Sequence, residues 1–433
     1  MPLDLRAIEE TLAGTDPVEA VGRLRSVIGL AIEADLPGSR LGELVEIERR
    51  QQPPLRAEVV GFRDSAATLL PLGPADGLGP DDVVRPVRGR LQVHVGSSVL
   101  GRVLDGLGAP LDGGPALQGE LRPVLGPSPS PLARPRIAER MVTGVRAIDA
   151  FTTIGVGQRI GLFAGSGVGK SSLLGQIARQ AQADVFVVCL VGERGRELAD
   201  FLHDALGVQG LTRGVVVCAS SDSPPLVRMK APFVATAIAE GFRDAGQRVL
   251  LLMDSVTRFA RAAREVGLAA GEAPARRGYP PSVLSVLPTL TERAGTAERG
   301  SITAIYTVLV EGDDLDEPIA DELRGLLDGH IVLSRALANR SHYPAIDVPA
   351  SLSRLMPRVA EREHVLAAAK VREHIAVHEQ KRDLVALGAY VPGSDRRLDA
   401  ALARADRIEA FLRQDSGTAC AFEDTLTALR ALV

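Results

Sequence analysis

Four textures of apolar and polar positions succeed one another along the chain. Over residues 19–88 the apolar positions fall in short runs, "RLRSVIGLAIEADL", "LGELVEIER", "RAEVVGF" and "AATLLPL", which alternate with polar residues or are β-branched. Pro, Gly and Asp punctuate them, so the stretch predicts several short strands forming a small β-barrel or sandwich. Residues 89–142 are rich in Gly and Pro ("DGLGAPLDGGPAL", "LGPSPSPLARPR") and read as a linker and the start of a core. From 143 to 356, continuously apolar runs ("RIGLFAG", "VFVVCLVG", "GVVVCAS", "RVLLLMD", "SITAIYTVLVEG") alternate with helical stretches ("SSLLGQIARQAQA", "PFVATAIAEGFRDAG"). Strands that are apolar at every position suit a parallel sheet covered on both faces, which makes this an α/β domain. From 357 to 433 the apolar residues recur at helical spacing and predict a helical C-terminal domain.

Composition narrows the function classes only a little. At 433 residues, two or three domains are expected, and a net charge of −4 gives no overall pull towards nucleic acid or anionic lipid. Cys189 and Cys218 sit in strand-like apolar runs and read as small buried hydrophobes, which suits a reducing cytosol. The opening "MPLDLRAIEETLAG" is acidic and lacks a signal-like apolar segment. No apolar run approaches the ~20 residues that cross a bilayer. The expectation is a soluble protein whose contact with a membrane is peripheral.

One feature of the composition points to chemistry. Of 50 basic residues only four are lysines, and one of them is Lys170 in "GLFAGSGVGKSS". A preceding strand and a following helix give this stretch the setting of a phosphate-binding loop, Gly165, Ser166, Gly167, Val168, Gly169, Lys170, Ser171 and Ser172. Glycines let backbone N–H groups turn inward round the phosphates, and the helix presents its positive end. A compact ammonium reaches the β- and γ-phosphates where the wide fork of arginine would not fit. Ser171 follows as a hydroxyl ligand for Mg²⁺, supported by Ser172. Ala164 stands where the pattern has its first glycine.

Three further stretches complete a hydrolytic set. "RVLLLMDS" ends a strand on Asp254, placed to hold Mg²⁺. In "CLVGERGREL", Glu193 follows a strand and can orient and polarise an attacking water, with Arg194 beside it in reach of a γ-phosphate. "HYPAIDVPASLSRL" leads to Arg354, a cation that a neighbouring subunit could receive as a finger.

Together these stretches resemble the hexameric ATPases related to the catalytic subunit of rotary ATP synthases. More closely, they resemble the export ATPases of bacterial type III secretion systems, flagellar and injectisome. The likeness runs over nearly the whole chain, through "GRVLDGLGAPLD", "TGVRAIDAFTTIGVGQRIGLFAGSGVGKSS", "GERGREL", "GYPPSV", "LLDGHIVLSR" and "HYPAIDVPASLSR". It implies an N-terminal β-barrel, a RecA-like P-loop core and a helical C-terminal domain, with residues 1–18 as an oligomer or membrane contact. It makes ATP and Mg²⁺ the cofactors and Glu193 the catalytic carboxylate, with Arg194 and Arg258 close to the γ-phosphate. Tyr343 becomes the aromatic that stacks on adenine, and Tyr390 closes the same pocket from the C-terminal domain. Arg354 becomes the trans finger, and Pro349 stands where the family commonly has leucine.

The resemblance also implies a homohexamer at the cytosolic base of a secretion apparatus, in peripheral contact with the export gate and inner membrane. Its implied partners are secretion chaperones and export substrates, a stalk protein in the ring's pore and a stator or regulator. "FARAAREVGLAAGEAPARRGYPPSV" looks slightly more like the injectisome group than the flagellar one. Three rival readings have features against them. A rotary catalytic subunit uses different sequence after "GSITAIYTVLVEG". A Rho-like RNA translocase needs basic and aromatic surface, yet Phe62 is the lone aromatic of the first 90 residues. A nucleotide-binding scaffold would have no use for Glu193, Asp254 and Arg354 together. His374 and His378 lie four apart but among charged residues, and read as a solvated helix face rather than a metal site.

Overall fold

A computed structural model describes residues 21–433, apart from residues 88, 311, 313 and 315 and the side chains of 208 and 209. The expected contact segment 1–18 lies outside the described residues. The chain divides into two compact units, one up to Leu91 with Val266–Glu272, the other Gln92–Glu265 with Ala273–Val433.

The first unit holds a closed barrel of β1 (Gly22–Ile28), β2 (Ala31–Asp35), β3 (Leu44–Arg49), β4 (Gln52–Arg63), β5 (Ala66–Pro71) and β6 (Val83–Pro86), ordered β1-β2-β5-β4-β3-β6. The alternation seen in the sequence is what fills it: Ile32 and Ala34 of β2 and Val45 and Ile47 of β3 point inward, with Leu55, Ala57, Val59, Leu69 and Val84. Register shifts at Leu24/Ser26, Ile47/Arg49 and Val59/Gly61 bend the strands enough for six to close. Barrel, rather than sandwich, is the outcome.

The second unit is built on a sheet ordered Ile346–Ser353, Gly329–Leu333, Arg159–Ala164, Ser301–Leu309, Arg248–Asp254, Val185–Glu193, Gly214–Ser220 and Val103–Asp105. Along that order all neighbours are parallel except Gly329–Leu333 with Ile346–Ser353. The Arg248–Asp254 strand is buried from Val249 to Asp254, as continuous apolar runs require. The Gly/Pro-rich stretch read as a linker is more than a tether. Its Val103–Asp105 forms the sheet's edge strand, and Gln92–His94 pairs with Leu121–Pro123. Strands of three residues between turns carry too little periodicity to be seen in the sequence.

The C-terminal helices Arg362–Ala386, Arg396–Leu402, Ala405–Leu412 and Phe422–Arg430 do not form a separate core. Ala368, Val371, Ile408, Phe411, Leu426 and Leu429 belong to one apolar cluster with Ile148 and Phe151 of the helix Arg146–Phe151, Leu162 of the sheet and Leu174 of the helix Lys170–Gln180. Phe411 meets Phe151 edge-on at 6.0 Å, and Arg372 donates to the carbonyl of Phe151 at 2.7 Å. His374 departs from the solvated face expected of it. It is buried, because Arg362–Ala386 packs against Arg396–Leu402, and only His378 is partly exposed. Charged sequence neighbours hid this packing: Lys370 and Glu373 pair towards solvent, but Arg372 turns in to the carbonyls of Val348, Ser351 and Phe151. Among the described residues no group of three His, Cys, Asp or Glu side chains could hold a metal.

Candidate active site

The phosphate loop leaves the strand Arg159–Ala164 and runs into the helix Lys170–Gln180. Ala164 needs no glycine: it is the last strand residue, in register with Leu309 and Leu333. Val168 is buried and pins the loop to the core, while Ser166, Gly167, Ser171 and Ser172 are exposed. Gly169 has φ 88°, and a Cβ there would come within 3.2 Å of Cε1 of Tyr343. Glycine at 169 therefore serves two ends, a left-handed turn and close approach of the tyrosine ring. Tyr343 is 44% exposed, so one part of its ring rests on the loop and the rest stays open.

Glu193 and Asp254 come from adjacent parallel strands, Val185–Glu193 and Arg248–Asp254. The strand of the phosphate loop is not beside them, since Ser301–Leu309 lies between. Lys170 spans that gap. Its Nζ pairs with Oδ1 of Asp254 and lies 3.8 Å from Oε1 of Glu193. Asp254 is 2% exposed, and its Oδ1 also accepts the hydroxyl of Thr307 at 2.8 Å. Ahead of Glu193 the strand breaks register, with Gly192 at φ 67°. That kink sets Arg258 against the glycine, where Nη1 donates to Gly192 O at 2.5 Å and pairs with Oε2 of Glu193 at 2.7 Å.

Burial pushes the Glu193 carboxyl up to about 7. A hydrogen bond with Glu197 and the charge of Asp254 add to the rise, against the pull of Lys170 and Arg258. A carboxyl held near neutrality is suited to exchange a proton with water.

The donor set fits a magnesium nucleotide. Positive φ at Gly167 and Gly169 turns backbone N–H groups into an anion-binding nest at the helix start. The hydroxyl of Ser171 and the carboxylate of Asp254 are the hard oxygen ligands that Mg²⁺ takes.

The other expected residues are distributed unevenly. Arg194 caps the helix Gly195–Asp200, its side chain 78% exposed and 3.8 Å from Glu197, outside the Lys170 cluster. Tyr390 is occupied in its own segment, donating to Asp395 O at 3.1 Å and Asp399 Oδ1 at 2.8 Å. Arg354 is exposed at the end of the edge strand Ile346–Ser353, held by Asp328 O to its backbone N–H (3.0 Å) and by Arg324 O to Nη2 (3.1 Å). Two side chains at the site escaped the sequence reading. Thr307 shares its strand with Ser301, Thr303 and Tyr306, so nothing in the sequence singled it out. Arg335 donates to Ser166 O of the phosphate loop at 3.1 Å, with nothing local to mark it among the arginines.

Known proteins resemble the chain domain by domain. Residues 144–353 match the ATP synthase alpha/beta family, nucleotide-binding domain. Residues 24–88 match that family's beta-barrel domain, and 360–431 the T3SS EscN ATPase C-terminal domain. The flagellum-specific ATP synthase of Bacillus subtilis (strain 168) is 48% identical over 96% of both chains. The type 3 secretion system ATPase of Xanthomonas euvesicatoria is 50% identical over 96% of this chain and 93% of its own. Among solved structures, the assembled ATPase EscN from the enteropathogenic E. coli type III secretion system is 44% identical and superposes with a TM-score of 0.90. The same protein in complex with its central stalk EscO gives 0.87, each match covering 95% of this chain and 99% of the other. At this identity over nearly its whole length, the chain belongs to the ATPases of type III export, the family that joins flagellum-specific ATP synthases and type 3 secretion system ATPases.

Proposed function

We propose that this chain hydrolyses MgATP at the interfaces of a homohexameric ring and so drives protein export through a type III secretion apparatus. One observation carries the reading. Lys170, Glu193, Asp254 and Arg258 converge, while Arg354 lies exposed just past the edge strand, its hydrogen bonds among the described residues going to two carbonyls. A site complete but for its finger, on a chain that displays a finger elsewhere, is a site for two copies.

In the proposed reaction, Glu193 orients a water and takes its proton as the water oxygen bonds to the γ-phosphorus. The bond from that phosphorus to the β–γ bridging oxygen breaks, and ADP carries away the electron pair. Lys170 holds the γ-phosphate oxygens in line, and Arg258 steadies Glu193 while facing the same charge. Ser171 and Asp254 would hold Mg²⁺, which neutralises charge on the β- and γ-phosphates when bound. Arg354 of a neighbouring copy meets the charge that builds in the transition state, a contribution of about 10³–10⁵ in rate. Arg194 approaches the γ-phosphate from the rim. Tyr343 supplies the platform for adenine, and Tyr390 would close the same pocket only on leaving Asp395 and Asp399.

The export role rests on the relatives. They bear both flagellar and type 3 secretion names at 47–51% identity, so the reading is common to both branches. Energy from the ring would strip chaperones from export substrates and help unfold them. Leu384, Leu387 and Val391 expose 41%, 82% and 67% of their surface near the end of the long helix, apolar area suited to docking such complexes. EscN's complex with EscO supports a stalk partner in the pore. A stator or regulator and peripheral contact with the export gate and inner membrane at its cytoplasmic face complete the setting. No described helix is long and apolar enough to cross a membrane.

The test is ATP turnover against protein concentration, with mass measured alongside, for wild type, Glu193→Gln and Arg354→Ala. Turnover per chain rises as monomers become rings, and vanishes in both variants while nucleotide still binds. Concentration-independent hydrolysis by a monomer would remove the trans finger and the mechanism with it.

A further inference from the structure

The loop from Arg413 to Thr418, between the helices Ala405–Leu412 and Phe422–Arg430, joins the tyrosine beside the phosphate loop to the far end of the helix that Lys170 opens. On one side Gln414 donates its backbone N–H to Tyr343 O at 3.0 Å. Arg413 Nη1 donates to Ser341 O at 3.1 Å, and Glu409 lies 3.9 Å from Nδ1 of His342. On the other side, Arg179 and Gln180 close the helix that Lys170 opens, and both donate to Ser416 O, at 3.0 and 3.3 Å.

Gln414 anchors this loop. It is 8% exposed, and both its amide N–H groups and its carbonyl oxygen have partners. Oε1 accepts the N–H of Arg146 at 2.8 Å, and Nε2 donates to Gly144 O at 2.8 Å and Thr418 O at 2.7 Å. One acceptor facing an N–H and two donors facing carbonyls leave a single orientation for the amide. The turn it grips is itself rigid, because Asp149 accepts from Thr143 N, Thr143 Oγ1 and Gly144 N at 2.9, 2.8 and 3.0 Å. A chain of hydrogen bonds therefore runs from the buried Asp149, through Gln414, to the backbone of the tyrosine laid against Gly169.

We infer that Gln414 is a positioning residue for the nucleobase, holding Tyr343 in the place where a base stacks. This rests on the reading of Tyr343 as the base platform. Gln414 reaches Tyr343 through its backbone, and its hydrogen bonds go to Tyr343, Arg146, Gly144 and Thr418 rather than to Lys170, Glu193 or Asp254. Loosening it makes the platform pay its ordering entropy on binding and leaves the phosphate chemistry in place. The effect belongs in KM more than in kcat.

The experiment measures steady-state hydrolysis by the full chain carrying Gln414→Ala, Gln414→Glu, Tyr343→Ala, or Gln414→Ala with Tyr343→Ala. Magnesium tripolyphosphate, which has phosphates but no base, is titrated as a competitive inhibitor. Gln414→Ala raises KM for MgATP about five- to tenfold, the value of one or two hydrogen bonds, with a smaller change in kcat and an unchanged Ki for tripolyphosphate. Gln414→Glu still accepts from Arg146 but cannot donate to the two carbonyls, so it shifts KM the same way and serves if the alanine variant fails to fold. In the Tyr343→Ala background the Gln414→Ala effect disappears. If Tyr343→Ala raises KM and the folded Gln414 variants do not, this inference falls alone. If Tyr343→Ala leaves KM unchanged, the base platform falls and takes the inference with it. Equal weakening of ATP and tripolyphosphate means general loosening of the site and also overturns it.

Discussion

Asp149 is fully buried, and burial pushes its carboxyl up to about 7, outweighing three hydrogen bonds from Thr143 and Gly144 that favour the carboxylate. The folded chain thus keeps a proton that the unfolded chain releases near pH 4. With the folded value raised, this contribution to stability is full below about pH 4 and is lost as the pH rises through about 7. Asp149→Asn removes the titration. Urea unfolding of the two proteins should therefore show the wild type losing ground to the variant across that window, by at most about 1.36 kcal/mol per pH unit. A gap that stays constant with pH would mean that Asp149 is already ionised in the fold. At this scale the sequence was legible where a residue ends a strand or opens the helix after it. Lys170, Glu193 and Asp254 each stand after an apolar run, and the fold brings all three together. Thr307 and Gln414 were not legible, because what makes each matter is a partner that its own neighbourhood in the chain does not announce: Asp254, 53 residues away, and Gly144, 270 residues away.

Among the elements, the sheet order explains why a lysine serves the phosphate loop. An intervening strand, Ser301–Leu309, separates the loop's strand from the Asp254 strand, and a long unbranched side chain bridges it. The same scale shows the C-terminal helices sharing one apolar cluster with the sheet layer. Phe411 is a keystone of that joint, packed on Phe151 with the Arg146 guanidinium 5.4 Å from its ring centroid. Phe411→Ala should cost about 3–5 kcal/mol, as other large-to-small core changes do. Because the cluster is continuous, near-UV circular dichroism and limited proteolysis should report helices and sheet loosening in one transition. Two separate transitions in the variant would contradict a shared core. Helical periodicity announced these helices, but not that their apolar faces close on the rest of the nucleotide-binding layer as well as on one another.

For the whole molecule, the division of the site between a cluster and a distant finger makes a prediction about mixtures. On the proposed mechanism Glu193→Gln and Arg354→Ala chains are each expected to be inactive, but a random equal mixture assembles about a quarter of its interfaces with an intact Glu193 and an intact Arg354. Mixing the two inactive proteins before assembly should restore hydrolysis towards that fraction. A mixture as dead as its parts would place both groups in one chain's site. What the sequence determined by itself was whatever is encoded locally. Period-two runs made a barrel, continuous apolar runs a buried parallel sheet, and a glycine-rich turn between strand and helix a phosphate site. Tertiary structure decided which strands became neighbours. It turned a supposed linker into an edge strand and buried a histidine expected in solvent. It also chose which few of the many arginines face Glu193, the phosphate loop or the outer edge. The physical reason is range: periodicity and turn chemistry act over a few residues, whereas these pairings join residues tens to hundreds of positions apart, and a uniform arginine composition gives no local sign of them.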